Sequence, residues 1–172
     1  AIAVVNRTGA AGTIMLNELS RARPDGHTLG LLSVNTNAVA PQLQTLTFDP
    51  VKDFTPLMNY GSFLTFVTVA ANSSFASLRD LIAFARREPG KLTIGVSGIG
   101  ANSHLNMARL AAEEGVEVTF VPFTGGAPAT TALLGGHVDV IVSNISNPVQ
   151  QIEAKAMRAI AVTSPKRQTG VY

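Results

Sequence analysis

The residues able to do chemistry in this chain are gathered in five short turns. They are "NRTGAAG" from Asn6, "SVNTN" from Ser33, "VSGIGANS" from Val96, "FTGGAPA" from Phe123 and "SNISN" from Ser143. Glycine, serine, threonine, asparagine and alanine dominate them. Such turns supply hydrogen-bond donors and room for close approach, and almost nothing that moves a proton. In "VSGIGANS", Gly98 and Gly100 follow an apolar run that includes Gly95, and they open a helical pattern. A turn of that kind can point unpaired N–H groups at an anion, where the helix dipole also favours negative charge. It can equally be a plain tight turn, and its spacing leaves both readings open.

Enzyme motifs fail on inspection. "GVSGI" is no nucleophile elbow, because Ile99 stands where the motif needs glycine. "GIGANS" lacks the third glycine of a dinucleotide loop, and no Walker lysine follows any glycine turn. His27, His104 and His137 lie far apart without metal-ligand spacing. His104, one turn into a helix, reads as a packed or capping residue, and Arg7 as a brace for its own turn. Asp49 and Asp53 in "FDPVKDFTP" read as groups that fix loop geometry. The profile is a binder's, with no cofactor and no metal expected.

The elements that must position these turns alternate nearly throughout. Ile2 to Val5 reads as a short strand. Helical spacing follows at Ala11, Met15, Leu19 and Ala22, and "HTLGLLS" reads as a second strand. Residues 34–56 are polar and proline-marked, an irregular stretch with a short helical turn. "FLTFVTVAA" has the β-branched run of a strand, and Ser77 to Glu88 has the apolar stripe of a helix (Leu78, Leu81, Ile82, Ala85) opened by a Ser77–Asp80 capping box. "KLTIGV" leads into the quoted turn, and Asn102 to Glu114 is helical. "VEVTFVPF", "HVDVIVS" and "MRAIAVTS" are strands, separated by helices in "TGGAPATTALLGG" and "NPVQQIEAK". This order predicts an α/β fold, a mostly parallel sheet with helices on its faces. In such sheets ligands sit beyond the carboxyl ends of strands, where the turns lie.

Composition agrees with a packed domain. Of 172 residues, 46% are apolar and 14% charged, enough to bury a core. Net charge is +2, without a basic block, and tryptophan is absent. A nucleic-acid surface needs clustered cations and stacking aromatics; the first are missing and aromatics are sparse, at 6% of residues. No cysteine is available for disulfides, thiolate catalysis or metal binding. No apolar run reaches the roughly 18 residues of a membrane span.

Taken in order, seven stretches resemble one family, the substrate-binding receptors of tripartite tricarboxylate transporters (Bug receptors). They are "VVNRTGAAGT", "RPDGHTLGLLS", "FDPVKDFTPL", "SLRDLIAFARREPGKLTIG", "GIGANSHL", "VPFTGGAPATTALLGGHVDV" and "MRAIAVTSPKR", covering most of the chain to Arg167. The resemblance implies a two-lobed periplasmic binding protein of type II that closes on a small carboxylate, such as a di- or tricarboxylate, an acidic amino acid or a related acid. It implies membrane permease subunits as partners and a periplasmic location, with no nucleic acid and no membrane insertion. Family receptors also begin earlier and continue further, so lobe one is expected to be incomplete here. Residues 1–60 are assigned to lobe one, with 163–172 returning to it, and 61–162 to lobe two.

Carried onto this sequence, the ligand contacts implied are Gly98, Gly100, Ala101 and Asn102 at one helix start. Phe123, Thr124, Gly125 and Ala127 stand at another. Asn35 and Thr36 would face them from lobe one, with Ser143 and Asn144 lower in the cleft. The chain departs from the family at Val96 and Ala101, where serine is usual, and at Phe123, where tyrosine is. Two rivals stay open: an α/β enzyme using the same anion-binding turns, and a receptor-like module without ligand. If the turn at 98–103 holds a carboxylate, the expected donors are the four N–H groups of Gly100 to Ser103.

Overall fold

The computed structural model describes residues 1–7, 12–59, 61–62 and 64–168. The turn residues 8–11, Phe63 of the predicted strand and the last four residues lie outside that set. The chain divides into two compact units, 1–60 and 61–172.

The first unit is built around one helix. α1 (Thr13–Ser20) follows Gly12, whose φ of 94° suits glycine, and its Leu16 is fully buried. Residues 28–33 have no regular secondary structure and pass close to α1 at Gly30. A Cβ there would meet Leu19 Cδ2 at 2.5 Å and Met15 Sδ at 3.0 Å. A π-helical turn (Asn35–Val39) runs into α2 (Ala40–Leu43). The two strands expected at Ile2–Val5 and "HTLGLLS" do not form. A β-branched run becomes a strand only against a partner. Among the described residues these runs find none, and Ile2, Val4 and Leu29 stay 96%, 87% and 71% exposed. Arg7 pairs with Glu18 of α1, Nε to Oε2 at 2.7 Å, and the turn it was expected to brace lies outside the described residues. Asp49 does fix its loop: its Oδ1 accepts from Val51 N–H at 2.9 Å and Lys52 N–H at 3.1 Å. Asp53 Oδ2 accepts from Asp49 N–H at 2.7 Å.

The second unit is a five-stranded sheet with helices on both faces. In chain order it runs β1 (Thr65–Ala70), α3 (Leu78–Arg87), β2 (Thr93–Val96), α4 (Asn102–Glu114), β3 (Thr119–Pro122), α5 (Gly126–Leu134), β4 (Val140–Asn144), α6 (Val149–Glu153) and β5 (Met157–Val162). The strand order is β3-β2-β4-β1-β5. β2 pairs in parallel with β3 and β4, whereas β1 lies antiparallel to both β4 and β5. The sheet is therefore mixed. A βαβα pattern of apolar runs shows which segments pair but not their direction, so the reversed β1 was invisible in it.

Strand alternation divides the core. Val67, Val69, Ile94, Val96, Val140 and Val142 pack with Leu81 and Ala85 of α3 and Met107 of α4. Ile141 and Met157 pack with Ala129, Ala132 and Leu133 of α5 in a second cluster. Each such fully buried aliphatic side chain contributes about 1.5–3 kcal/mol, so these two clusters hold the sheet edge in place. The predicted cap of α3 is present: Ser77 Oγ accepts from Asp80 N–H at 3.3 Å, while Asp80 Oδ2 reaches back to Ala76 N–H at 3.0 Å. Among the described residues no helix is long and apolar enough to cross a membrane.

Candidate functional site

Parallel pairing brings the carboxyl ends of β2, β3 and β4 to one edge of the sheet. Each feeds a turn there: 97–101 into α4, 123–125 into α5, and 145–148 into α6. The registers Thr65↔Asn144 and Phe66↔Val162 place the start of β1 and the end of β5 at the same edge. Thr65 Oγ1 lies 2.9 Å from Thr163 Oγ1 and accepts from Asn106 Nδ2 of α4 at 3.0 Å.

The first turn is tied from within. Ser103 is 2% exposed, and its Oγ accepts from Ser97 N–H at 3.1 Å and lies 2.9 Å from Ser97 Oγ. Gly100, at φ 78°, donates its N–H to His104 Nδ1 at 3.3 Å, and Ala101 N–H donates to Gly98 O at 3.3 Å. His104 is thus the packed, capping residue expected, its ring edge-on to Phe120 with centroids 4.7 Å apart. The expectation of four free amides from Gly100 to Ser103 needs correction, because the turn itself consumes the first two. Among the described residues, Asn102, Ser103 and His104 are the ones whose N–H groups stay unpaired at this helix start. That is the geometry of a first helical turn. Ala101 is the N-cap and offers no side-chain oxygen.

The second turn starts from Phe123, whose N–H donates to Val96 O at 2.9 Å. Its ring covers Gly95, where a Cβ would lie 3.2 Å from Phe123 Cε2, and packs on the α5 cluster. Thr124 is exposed, and among the described residues its hydroxyl has no partner. The N–H groups of Gly125, Gly126 and Ala127 are likewise unpaired there, at the start of α5.

At the third turn, Ser143 is buried and its Oγ donates to Asn144 O at 3.3 Å. Asn144 O also accepts from Asn147 N–H at 3.1 Å and Asn147 Nδ2 at 3.3 Å. Val96, one of the family departures, is fully buried among the α3 and α4 contacts and has no place on the turn surface.

Gly98, Gly100, Ala101, Asn102, Phe123, Thr124, Gly125, Ala127, Ser143 and Asn144 therefore share one sheet edge. Asn35 and Thr36 belong to the first unit. There Thr36 is buried, its Oγ1 donating to Ser33 O at 2.9 Å or Asn37 Oδ1 at 3.1 Å. Asn35 Oδ1 is buried without a partner among the described residues. A hollow of about 420 Å³ in this unit, lined by Thr13, Asn17, Arg21, Gln44 and Phe48 among others, includes none of the expected residues.

Sequence reading did not foresee the tie between Ser97 and Ser103, nor any part for Asn147. Serine at both ends of "SGIGANS" was a usable signal for the first two. The contact of Asn147 with α5 is tertiary, and no spacing encodes it.

The three turns hold no Asp, Glu, Lys, Arg or His. Among the described residues no cluster of His, Cys, Asp or Glu could hold a metal. What the edge offers is two groups of amides at helix starts, one free hydroxyl and the dipoles behind them. Unpaired amides and dipoles of that kind can hold an anion.

Comparison with known proteins gives one family. The model for the tripartite tricarboxylate transporter family receptor, TctC, matches residues 1–171. A relative from Pseudomonas sp. (strain P51), the UPF0065 protein in the tcbD-tcbE intergenic region, is 33% identical over 166 residues, covering 96% of this chain and 49% of the relative. Two solved structures from Rhodopseudomonas palustris are similar. Rpa4515 with adipate superposes with a TM-score of 0.87 at 32% identity, over 94% of this chain and 55% of that one. MatC (Rpa3494) with bound malate gives 0.79 at 28%, over 92% and 54%. The chain spans about half the length of these relatives.

Proposed function

We propose a function from one premise: the chain belongs to the TctC family of tripartite tricarboxylate transporter receptors, matched over residues 1–171. It is part of a periplasmic receptor that captures a small carboxylate and presents it to the permease subunits of such a transporter. The ligand is a di- or tricarboxylate, an acidic amino acid or a related acid, and the protein is a binder, not an enzyme.

The observation that carries the reading is the pairing of two amide clusters on adjacent strands. Asn102–His104 follow β2, Gly125–Ala127 follow β3, and neither turn contains a charged side chain to compete for the anion. A carboxylate placed there satisfies donors that the fold leaves open, and each helix dipole adds about 0.3–1 kcal/mol. Thr124 supplies a hydroxyl at the start of α5. Structures of relatives with adipate and with malate support the ligand class.

Calorimetric titration of the intact protein with malate, adipate, citrate, aspartate and nicotinate tests this. Saturable one-to-one binding of at least one acid, competed by others of similar length, is the expected result. Heat of dilution alone across the panel refutes it.

A further inference from the structure

Gly126 is a glycine for want of room. Its backbone has no positive φ, so conformation does not demand it. A Cβ there would lie 2.5 Å from Asn147 Cγ and 2.9 Å from Asn147 Oδ1, closer than real Cβ contacts come. Asn147 is not free to retreat, because its N–H and Nδ2 both donate to Asn144 O. Gly126 is held as well, its carbonyl accepting from Thr130 Oγ1 at 2.9 Å. The sheet order β3-β2-β4 puts these two turns on either side of β2. The contact therefore joins the turn after β4 to the start of α5, across the strand that feeds the first turn.

We propose that Asn147 is the positioning residue of this edge: its carboxamide sets where α5 begins and keeps that helix start free of negative charge for an anionic ligand. The proposal rests on the carboxylate reading above. An aspartate is nearly the same size as asparagine and sits well at a helix start, since the dipole favours an anion there. The same charge repels a bound carboxylate. Aspartate and glycine at 147 both give up the Nδ2 bond to Asn144 O, so the charge shows as an affinity loss in Asn147→Asp beyond that in Asn147→Gly, which a purely structural asparagine would not produce.

Four variants of the intact protein test this: Asn147→Asp, Gly126→Ala, Asn147→Gly and the double Gly126→Ala/Asn147→Gly. Thermal unfolding and titration with malate and adipate are read for each. Asn147→Asp should weaken binding about tenfold or more, and further than Asn147→Gly, which loses the same Nδ2 bond to Asn144 O without adding charge. Gly126→Ala should lower both Tm and affinity, and adding Asn147→Gly should recover much of each, a non-additive pair. Wild-type affinity in Asn147→Asp overturns the charge role, and strictly additive Tm changes overturn the contact. Should wild type bind no acid at all, the carboxylate reading and the charge role fall together. The Tm coupling then still decides whether Asn147 positions α5.

Discussion

Replacing Ser103 by alanine should cost more than replacing Ser97, although the two hydroxyls face each other. Ser103 Oγ is 2% exposed and does two things: it accepts from Ser97 N–H at 3.1 Å and pairs with Ser97 Oγ at 2.9 Å. Ser103→Ala removes the pair, a loss of about 0.5–1.5 kcal/mol, and strands the Ser97 amide, a further 1–3 kcal/mol or so where water cannot reach it. Ser97→Ala removes only the hydroxyl pair, because its own N–H still reaches Ser103. The expected losses are thus about 2–4 against about 1 kcal/mol. Urea unfolding of wild type and both variants measures them, with equal m-values required for the comparison. Because the stranded amide sits at the mouth of α4, Ser103→Ala should also weaken carboxylate binding more than Ser97→Ala does. Equal losses, or a larger loss in Ser97→Ala, would refute the assignment of Ser103 as the internal tie of the turn.

Other outcomes follow from the same geometry. Ala101→Ser supplies an N-cap oxygen where backbone φ −70° and ψ 158° already suit one, and should raise stability by about 0.5–2 kcal/mol in thermal or urea unfolding. Thr124→Val keeps the shape of an exposed residue and removes its hydroxyl. Titration should show affinity lower by about 1–3 kcal/mol with Tm unchanged. The Asp49 carboxylate is held below its ordinary pKa by the Val51 and Lys52 amides. A depressed folded pKa means its contribution is present above the unfolded value and fades as pH falls through the folded one. NMR titration should therefore find Asp49 still ionised where a free aspartate is half protonated, and Asp49→Asn should flatten that part of the acid stability profile.

The legible part of this molecule was the part decided by local pattern. The apolar stripe of Leu78, Leu81, Ile82 and Ala85 and the Ser77 cap announced α3, and the run from Asn102 to Glu114 became α4 at those residues. Gly98 and Gly100 marked a turn that indeed needs positive φ. What pattern could not supply was pairing. Ile2–Val5 and 27–33 have strand composition yet no neighbour among the described residues. β1 has the same composition, and its antiparallel setting between β4 and β5 gives no sequence sign. The site shows the same division. The turns were visible as glycine- and hydroxyl-rich stretches, but the fate of each donor was not. The amides of Gly100 and Ala101 are consumed locally by His104 and Gly98.

The central claim is that a carboxylate is held by the amides left open at the starts of α4 and α5. Titrating ¹⁵N-labelled intact protein with malate or adipate, and following the amide resonances, tests it residue by residue. The account predicts large, saturable shifts at Asn102, Ser103, His104 and Gly125 to Ala127, with Gly100 and Ala101, already bonded within their turn, moving less. Saturable binding with these six amides unmoved, and shifts concentrated elsewhere, would contradict it.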